Sequence, residues 1–279
     1  MSLYWRVGQL QLPCFERTHV MGVINVTPDS FSDGGTHYDP EVAVAAGIRM
    51  VSEGADILDV GGESTRPGSE AVPTQEEMER VLPVVKRLTA EVDVPVSIDT
   101  RKPQVAAAAL DAGASIVNDV TGGRDPEMLE LAADRDSALV LMHMKGEPKT
   151  MQDNPTYDDV VGEVRKYLER QAEAAVRGGL ARDRIAIDPG LGFGKTFQHN
   201  MVLMRDIGAF ADLGLPVVVG PSRKSFVGAA LGDLPVEDRL EGTAAAVALL
   251  AYNGAHVIRV HDVKEMARVV RVVDAIKRG

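Results

Sequence analysis

The sequence predicts an α/β fold in which eight parallel strands, each followed by a helix, close into one (β/α)8 barrel. Three observations support this prediction. Short apolar runs alternate eight times along the chain with longer stretches of helical periodicity. The runs are nearly continuous in Val, Ile and Leu, which is typical of parallel strands buried on both faces. The length of 279 residues is close to the roughly 250 residues typical of such barrels.

Each predicted strand is a short apolar run that ends at a polar residue or at glycine. In chain order the runs are 19–26, 57–60, 96–98, 116–117, 138–142, 185–187, 217–219 and 257–260. An open doubly wound sheet would usually stop at about five to seven strands, so a closed barrel is favoured. Because no long polar linker interrupts these units, we expect residues 1–279 to form a single domain. Residues 1–18 are expected to close the barrel floor as a lid or a short hairpin.

The predicted helices fill the stretches between the strands. They cover 40–52, a segment from 74, 103–112, a segment from 126, 157–177, 200–211, 225–231 with 240–252, and 263–277. Pro103 and Pro126 suit a first helical turn, where the missing N–H has no partner to lose. Thr74 and Glu77 have the spacing of a capping box.

The charge balance excludes some classes of partner. Thirty Lys and Arg face 41 Asp and Glu, which gives a net charge of −11 with neutral histidines. A surface that binds nucleic acid or an acidic membrane needs a basic footprint, so neither partner is expected. An anionic small molecule is still compatible with this net charge, provided that a few cationic side chains lie together in one cleft. The excess acidic side chains would then lie mainly on the helical exterior.

The cysteine content and the apolar segments indicate a cytoplasmic protein. Cys14 is the single cysteine, so an internal disulfide and a Cys-rich zinc site are excluded. The N-terminal residues lack the apolar core of a signal peptide. The longest uncharged stretch, 242–258, includes polar residues and is too short for a membrane helix, which needs about 18 or more continuous apolar residues.

In a parallel barrel, the site of chemistry is expected at the carboxyl ends of the strands. Polar or ionisable residues follow all eight predicted strands. These residues are Asn25, Glu63, Thr65, Arg66, Asp99, Asn118, Asp119, His143, Asp188, Ser222, Arg223, Lys224, Arg259 and His261. Any one of them could simply cap the next helix, as Asp and Asn often do. Together they predict a binding site.

Two chemistries are present in this set. Asp99, Asn118, Asp188 and Lys224 directly follow their strands and offer donors and acceptors suited to a flat heterocycle with an amino group and an amide-like edge. The cations Arg66, Arg259 and His261 suit phosphate or pyrophosphate oxygens.

The last strand and two loops add detail to this site. Arg259 and His261 alternate with Val260, so both polar side chains share one face of the strand. The loop 25–35 is rich in Gly and small polar residues and is expected to close over a ligand. The loop 188–195 is also glycine-rich but lacks Walker spacing, and its glycines permit close approach of the backbone to a planar ligand. A hard cation such as Mg²⁺ could bind through Asn25 together with ligand oxygens.

Seven segments, in order, resemble the dihydropteroate synthases, a pterin-binding TIM-barrel family of folate biosynthesis. The segments are 21–35, 59–68, 97–100, 118–119, 188–190, 220–225 and 258–261, and the similarity covers the chain from Met21 to Val263. The resemblance implies a magnesium-dependent transferase that joins 6-hydroxymethyl-7,8-dihydropterin pyrophosphate to p-aminobenzoate, releasing pyrophosphate and 7,8-dihydropteroate. It also implies a homodimer and inhibition by sulfonamides, which occupy the p-aminobenzoate subsite.

The resemblance also assigns roles to residues. The pterin and its pyrophosphate would be bound by Thr65, Asp99, Asn118, Asp188, Lys224, Arg259, Val260 and His261. Here Arg259 would stack on the pterin and hold the pyrophosphate with His261. The p-aminobenzoate would be surrounded by Phe31, Pro67, Phe193 and Ser222, with Lys224 beside them. Asn25 would ligate the magnesium. Catalysis would depend on Asp33, Arg66, Lys224, Arg259 and His261.

Two alternatives belong to other classes of protein. One is a corrinoid-linked methyltransferase domain, a related pterin-binding barrel that needs no pyrophosphate site. The other is a catalytically silent paralogue that serves as a binding or assembly protein. Asn25, Asp33 and Lys224 disfavour the silent paralogue, and the pair Arg259 and His261 disfavours the methyltransferase. Release of pyrophosphate that depends on p-aminobenzoate would discriminate all three.

Overall fold

The computed structural model describes residues 3–27, 39–64 and 69–279. A two-stranded antiparallel hairpin precedes an eight-stranded parallel sheet. The strands are β1 Tyr4–Val7, β2 Leu10–Pro13, β3 His19–Asn25, β4 Ile57–Gly61, β5 Val96–Asp99, β6 Ile116–Asp119, β7 Ala138–Met142, β8 Ile185–Asp188, β9 Val218–Val219 and β10 Val257–Val260. All eight strands predicted for the barrel are present.

Helices lie between the barrel strands, as the periodicity predicts. They are α1 Pro40–Glu53, α2 Thr74–Glu91, α3 Pro103–Asp111, α4 Pro126–Asp134, α5 Val160–Arg177, α6 Phe197–Arg205, α7 Gly208–Ala211, α8 Ser225–Ala230, α9 Leu240–Asn253 and α10 Val263–Arg278. Two short 3₁₀ helices, Arg182–Arg184 and Val236–Asp238, complete the described structure. None of the helices in the described ranges has the length and apolar character needed to cross a membrane.

The strand order shows a nearly closed barrel. Hydrogen-bonded neighbours run β8, β7, β6, β5, β4, β3, β10 and β9, all in parallel. A parallel bridge between Ile187 and Val217 joins the two ends of this series. The Ile187 N–H donates to the carbonyl of Pro216 at 2.9 Å. The predicted (β/α)8 fold is therefore confirmed.

The N-terminal hairpin packs beneath the barrel. Trp5 is fully buried, and its indole N–H donates to the Arg184 carbonyl at 3.0 Å, next to the start of β8. Trp5 belongs to one apolar cluster with residues near the amino ends of the strands, including Met21, Ile57 and Val257. The hairpin thus covers the end of the barrel opposite the carboxyl ends of the strands.

Three helix predictions are wrong in detail. Thr74 and Glu77 form no capping box, because α2 begins directly after Pro73 without a side-chain cap. Glu77 is instead buried, accepting a hydrogen bond from Thr100 Oγ1 at 2.7 Å and pairing with Lys102. The Glu77 carboxylate thus pairs with Lys102, a residue outside α2, and the sequence pattern within α2 does not reveal this partner.

The predicted helix 200–211 is two helices. The first, α6, begins at Phe197 behind a capping box in which Thr196 and His199 exchange hydrogen bonds of 3.2 Å. It ends at Arg205, and the short helix α7 follows.

Helix α5 starts at Val160 rather than at Tyr157, because the Asp159 side chain accepts from the Gly162 N–H and fixes the start there.

Candidate active site

Four side chains meet inside the barrel at the carboxyl ends of the strands. Arg259 on β10 reaches across the barrel, donating from Nε to Asp59 Oδ2 at 2.6 Å and from a terminal nitrogen to Asp99 Oδ2 at 2.7 Å. Asn118 Nδ2 donates to the same oxygen of Asp59 at 3.1 Å. We call Asp59, Asp99, Asn118 and Arg259 the central cluster. Three of its members, Asp99, Asn118 and Arg259, are predicted site residues that the fold brings together.

The central cluster has spare acceptors. The Oδ1 atoms of Asp59 and Asp99 are buried, and neither has a hydrogen-bond partner among the described residues. An unpaired buried carboxylate oxygen is costly, so the cluster is suited to a ligand that brings N–H donors. An amino-substituted heterocycle is a ligand of that kind.

Asp59 is a site residue that the sequence prediction missed. It lies on β4 and is fully buried, in a strand whose neighbours Leu58 and Val60 are apolar. A carboxylate inside an otherwise apolar run was the available signal, since burial of an acid requires a partner.

The electrostatics of the central cluster favour a charged arginine. Burial opposes the charge of Arg259, but Asp59 and Asp99 outweigh it and raise the pKa of the guanidinium. Burial raises the pKa of Asp99 to about 7, although Arg259 opposes this shift. The Asp99 carboxyl can therefore change its protonation state near neutral pH, depending on what a ligand offers it.

Asp188 and Lys224 form a second group in the barrel mouth. Burial raises the pKa of Asp188, and the nearby Lys224 opposes this shift. Burial lowers the pKa of Lys224 to about 8, and Asp188 opposes that shift in turn. The Lys224 amine donates to the Leu191 carbonyl and lies 4.6 Å from the centre of the Phe193 ring. Carboxylates and cations are thus interleaved in the described part of the mouth, which is mixed rather than uniformly negative.

Ser222 and His261 lie in direct contact. His261 Nδ1 is 3.0 Å from Ser222 Oγ, and the His261 backbone N–H donates to the same oxygen at 3.2 Å. Ser222 is assigned by resemblance to p-aminobenzoate and His261 to pyrophosphate. Their contact is compatible with adjoining subsites for the amine and the leaving group.

The loop after β8 needs glycine for steric reasons. Gly190 has a φ of +69°, and a Cβ atom there would lie 1.9 Å from the His143 carbonyl oxygen. Its N–H donates to Asp188 Oδ1 at 2.7 Å. The backbone therefore passes close to β7 while it orients the Asp188 carboxylate.

Other polar residues of the rim have structural partners. Asp119 accepts hydrogen bonds from Thr121 and Gly123, as a turn-capping aspartate does. Glu63 pairs with Arg101 and Lys102. Arg223 pairs with Asp262, its Nε lying 2.9 Å from Oδ2.

The remaining predicted site residues fall into three groups. Val260 is fully buried in the main apolar core, so only its backbone can face a ligand, and its predicted role stays a prediction. Asn25 is the last residue of β3, half-buried beside Gly61 of β4. The other five lie outside the described residues: Phe31, Asp33, Thr65, Arg66 and Pro67.

The described residues offer few protein ligands for a metal ion. Within residues 3–27, 39–64 and 69–279, no group of three or more His, Cys, Asp or Glu side chains is arranged to hold one. Asn25 supplies one amide oxygen at the barrel mouth. Mg²⁺ commonly keeps several waters and binds through one or two protein oxygens together with substrate phosphates. A single amide oxygen therefore fits a magnesium ion that arrives with a pyrophosphate, and does not fit a cage built from protein alone.

Comparisons with known proteins agree on one family. The family model described as pterin binding enzyme matches residues 21–261. The chain is 48% identical over 257 residues to the dihydropteroate synthase of Escherichia coli strain K12, a match that covers 92% of this chain and 91% of that protein.

Solved structures give the same result. The Yersinia pestis dihydropteroate synthase, in complex with a sulfonamide drug, is 42% identical with a TM-score of 0.94, covering 99% of this chain and 100% of that one. The Xanthomonas albilineans dihydropteroate synthase with 4-aminobenzoic acid is 46% identical with a TM-score of 0.93, and both chains are covered completely. These similarities extend over the barrel strands, the N-terminal hairpin and the site.

Proposed function

The chain belongs to the pterin-binding enzymes and, within them, to the dihydropteroate synthases, and we propose that its central cluster is the pterin subsite. The reaction joins 6-hydroxymethyl-7,8-dihydropterin pyrophosphate to p-aminobenzoate and releases pyrophosphate and 7,8-dihydropteroate. The observation that carries the subsite is the pair of buried, unpartnered carboxylate oxygens on Asp59 and Asp99. The N–H donors of a pterin ring would satisfy them.

The pterin would be bound by both hydrogen-bond acceptors and hydrogen-bond donors of the protein. Asp99 and Asp188 are acceptors for the amino group and ring N–H groups, while Asn118 and Lys224 offer donors to the ring nitrogens and the carbonyl oxygen. Asp99, Asn118 and Asp188 lie at the carboxyl ends of their strands, and Lys224 lies in the loop after β9, directly before α8. The guanidinium plane of Arg259 is suited to stacking on the flat ring. Since two carboxylates already hold this guanidinium, its plane is oriented before the substrate arrives.

The amine subsite would lie beside Phe193. The Phe193 ring and the Lys224 amine are in contact, and an aromatic carboxylate can use both, the ring for packing and the cation for charge. Ser222, which contacts His261, is the third proposed member of this subsite. We propose that sulfonamides, which are aromatic amines of similar shape, occupy this subsite as well.

The proposed reaction depends on stabilisation of the pyrophosphate leaving group and does not require a general base to deprotonate the amine. Electron release from the dihydropterin ring lets the exocyclic C–O bond break before the amine attacks, which leaves a delocalised cation. Arg259 and His261 would neutralise the negative charge that grows on the pyrophosphate, and so bind the transition state better than the ground state. The amine of p-aminobenzoate is neutral at pH 7, so we assign no residue as general base. Asp33 would stabilise the cation and exclude water together with the neighbouring loops.

Magnesium is the proposed cofactor, held by Asn25 and by the substrate. When bound, the ion would supply additional positive charge to the pyrophosphate oxygens. Arg66 and Thr65 are proposed to contact the same leaving group.

Removal of magnesium is expected to suppress activity by at least about tenfold, because a pyrophosphate is a poor leaving group without its counter-charge. Pyrophosphate release should be measured in EDTA and again after addition of excess Mg²⁺. Restoration by Mg²⁺ is the expected result. Undiminished turnover in the chelator would remove the metal from the mechanism.

The proposed function is tested by measuring pyrophosphate release with and without p-aminobenzoate. Release that requires the amine, accompanied by formation of 7,8-dihydropteroate, is the expected result. A protein that binds the pterin but releases no pyrophosphate would instead be a methyltransferase-like domain or a silent paralogue.

A homodimer through the last two long helices is also proposed. Helix α9 exposes Leu249 and Tyr252, and α10 exposes Val272 and Ile276, so each helix presents a pair of large apolar side chains at helical spacing. The two helices pack against each other. Sedimentation velocity would report whether the chain associates. The cytoplasmic location stays a prediction from the sequence.

A further inference from the structure

A buried lysine lies next to the amine subsite and has no part in the mechanism above. Lys195 is only 2% exposed. Its amine lies 2.9 Å from His143 Nδ1, and it donates to the Phe193 carbonyl at 2.9 Å and to the His143 carbonyl at 3.3 Å. Three acceptors match the three donors of an ammonium group.

Burial and the neighbouring Lys195 keep the His143 imidazole neutral. Burial, and then the charge of Lys195, lower the pKa of His143 to about 2. A neutral imidazole keeps one acceptor nitrogen, and Nδ1 lies within hydrogen-bond distance of the Lys195 amine. Burial lowers the pKa of Lys195, and Asp188 opposes this shift. The imidazole itself is fixed by edge-on packing against Tyr167, with ring centres 4.9 Å apart.

The loop that carries Phe193 is fixed by hydrogen bonds to the backbone of three consecutive residues, 192–194. The Gly192 N–H donates to Asn200 Oδ1 at 2.7 Å, the Phe193 carbonyl accepts from Lys195, and the Gly194 carbonyl accepts from the Tyr157 hydroxyl at 2.8 Å. Gly192 and Gly194 both have positive φ values, of 82° and 63°. A loop with this much glycine would have many conformations without such bonds.

We propose that Lys195 and Tyr157 are positioning residues for p-aminobenzoate, because their hydrogen bonds to the carbonyls of Phe193 and Gly194 fix the Phe193 ring against the Lys224 amine. The proposal depends on the proposed function, in which Phe193 forms a wall of the amine subsite. It adds a specific consequence: loss of these bonds weakens binding of the aromatic amine and leaves binding of the pterin pyrophosphate intact. Preorganisation of the loop is the physical cause, since an unfixed loop must be ordered when the amine binds.

Lys195 is not a catalytic residue in this proposal. Its amine is saturated with acceptors and almost fully buried, so it has no donor free for substrate. A purely structural role makes a different prediction, in which thermal stability falls and the KM values of both substrates change together.

The decisive variant is Lys195→Met, which keeps the length of the side chain and removes its hydrogen bonds. The KM for p-aminobenzoate is expected to rise about tenfold or more, with the KM for the pterin pyrophosphate and kcat close to those of the wild type. Lys166→Met, at an exposed position of α5, is the matched control and should leave both KM values unchanged. Equal changes in both KM values, or no change in either, would overturn the proposal.

Tyr157→Phe keeps the proposal testable if Lys195→Met does not fold. Tyr157 is only half-buried, and this variant removes one hydrogen bond to the loop that carries Phe193, so the protein is expected to fold. The KM for p-aminobenzoate should rise about threefold, in the same selective manner. An unselective or absent effect in a folded Tyr157→Phe protein contradicts the proposal. If the wild-type protein itself shows no amine-dependent pyrophosphate release, the proposed function fails instead, which separates the two outcomes.

Discussion

Replacing Asp188 by alanine is expected to abolish measurable binding of the dihydropterin. Asp188 ends β8 with its carboxylate in the barrel mouth, where burial and the neighbouring Lys224 set its pKa. Without the carboxylate, N–H donors of a bound pterin would be desolvated and left unpaired. Truncation of one partner in a buried, charged hydrogen-bonded pair typically costs about 2–5 kcal/mol, so the affinity should fall by more than about 30-fold. Calorimetric titration with the pterin measures this loss.

The same substitution should change thermal stability little, because two effects oppose each other. The unfavourable burial of a carboxylate is relieved, while the Gly190 N–H loses its acceptor. Asp188→Asn separates these effects, since an amide oxygen can still accept from Gly190 but carries no charge. Asp206→Ala, at a carboxylate that pairs with Arg205 near the surface, is the control that should alter neither affinity nor melting temperature. Unchanged pterin affinity in Asp188→Ala would remove Asp188 from the pterin subsite.

The order of elements could be predicted from the sequence because each is defined by local patterning. Apolar runs such as Ile185–Asp188 and the prolines that open α3 and α4 appear in the structure where the pattern places them. The limits of that reasoning appear where a side chain has a distant partner. Glu77 has the spacing of a capping residue, but a lysine 25 residues further along the chain binds it instead.

Several residues of the candidate site could be predicted from the sequence, but the contacts between their side chains could not. The carboxyl ends of the strands identified Asp99, Asn118 and Arg259. Nothing local shows that Arg259 pairs with Asp59, since the two are 200 residues apart and meet only when the barrel closes. Lys195 was missed for a related reason: the sequence shows only a lysine after a glycine-rich loop, whereas the fold buries it against His143 of the preceding strand–loop unit.

Replacing Arg259 by alanine is expected to reduce turnover by about 100-fold or more, because this side chain would neutralise the charge that develops on the pyrophosphate. The structure adds a second consequence. Asp59 and Asp99 would lose their shared cation, and breaking a buried ion pair commonly costs about 3–5 kcal/mol. A loss of activity alone would therefore not show that Arg259 is catalytic.

The stability loss has a defined pH dependence. Burial already raises the pKa of Asp99 to about 7, and Arg259 opposes this shift, so removal of Arg259 should raise the pKa further. A carboxyl whose folded-state pKa is raised loses stability as the pH increases above its unfolded value. The difference in melting temperature between Arg259→Ala and the wild type should thus be smaller at pH 6 and larger at pH 8.5.

A double variant separates catalysis from stability. In Asp59→Asn with Arg259→Ala, one of the two unpaired carboxylates is gone, so a large part of the lost melting temperature should return, while turnover should stay near the level of Arg259→Ala because the cation is still missing. Asp59→Asn alone retains Arg259 and its bond to Asp99, and it should lose far less activity than either protein that lacks the arginine. These comparisons require kcat and the melting temperature for all four proteins at one pH. If turnover returned together with stability in the double variant, Arg259 would act only as the structural partner of the two aspartates, and the leaving group would be stabilised elsewhere.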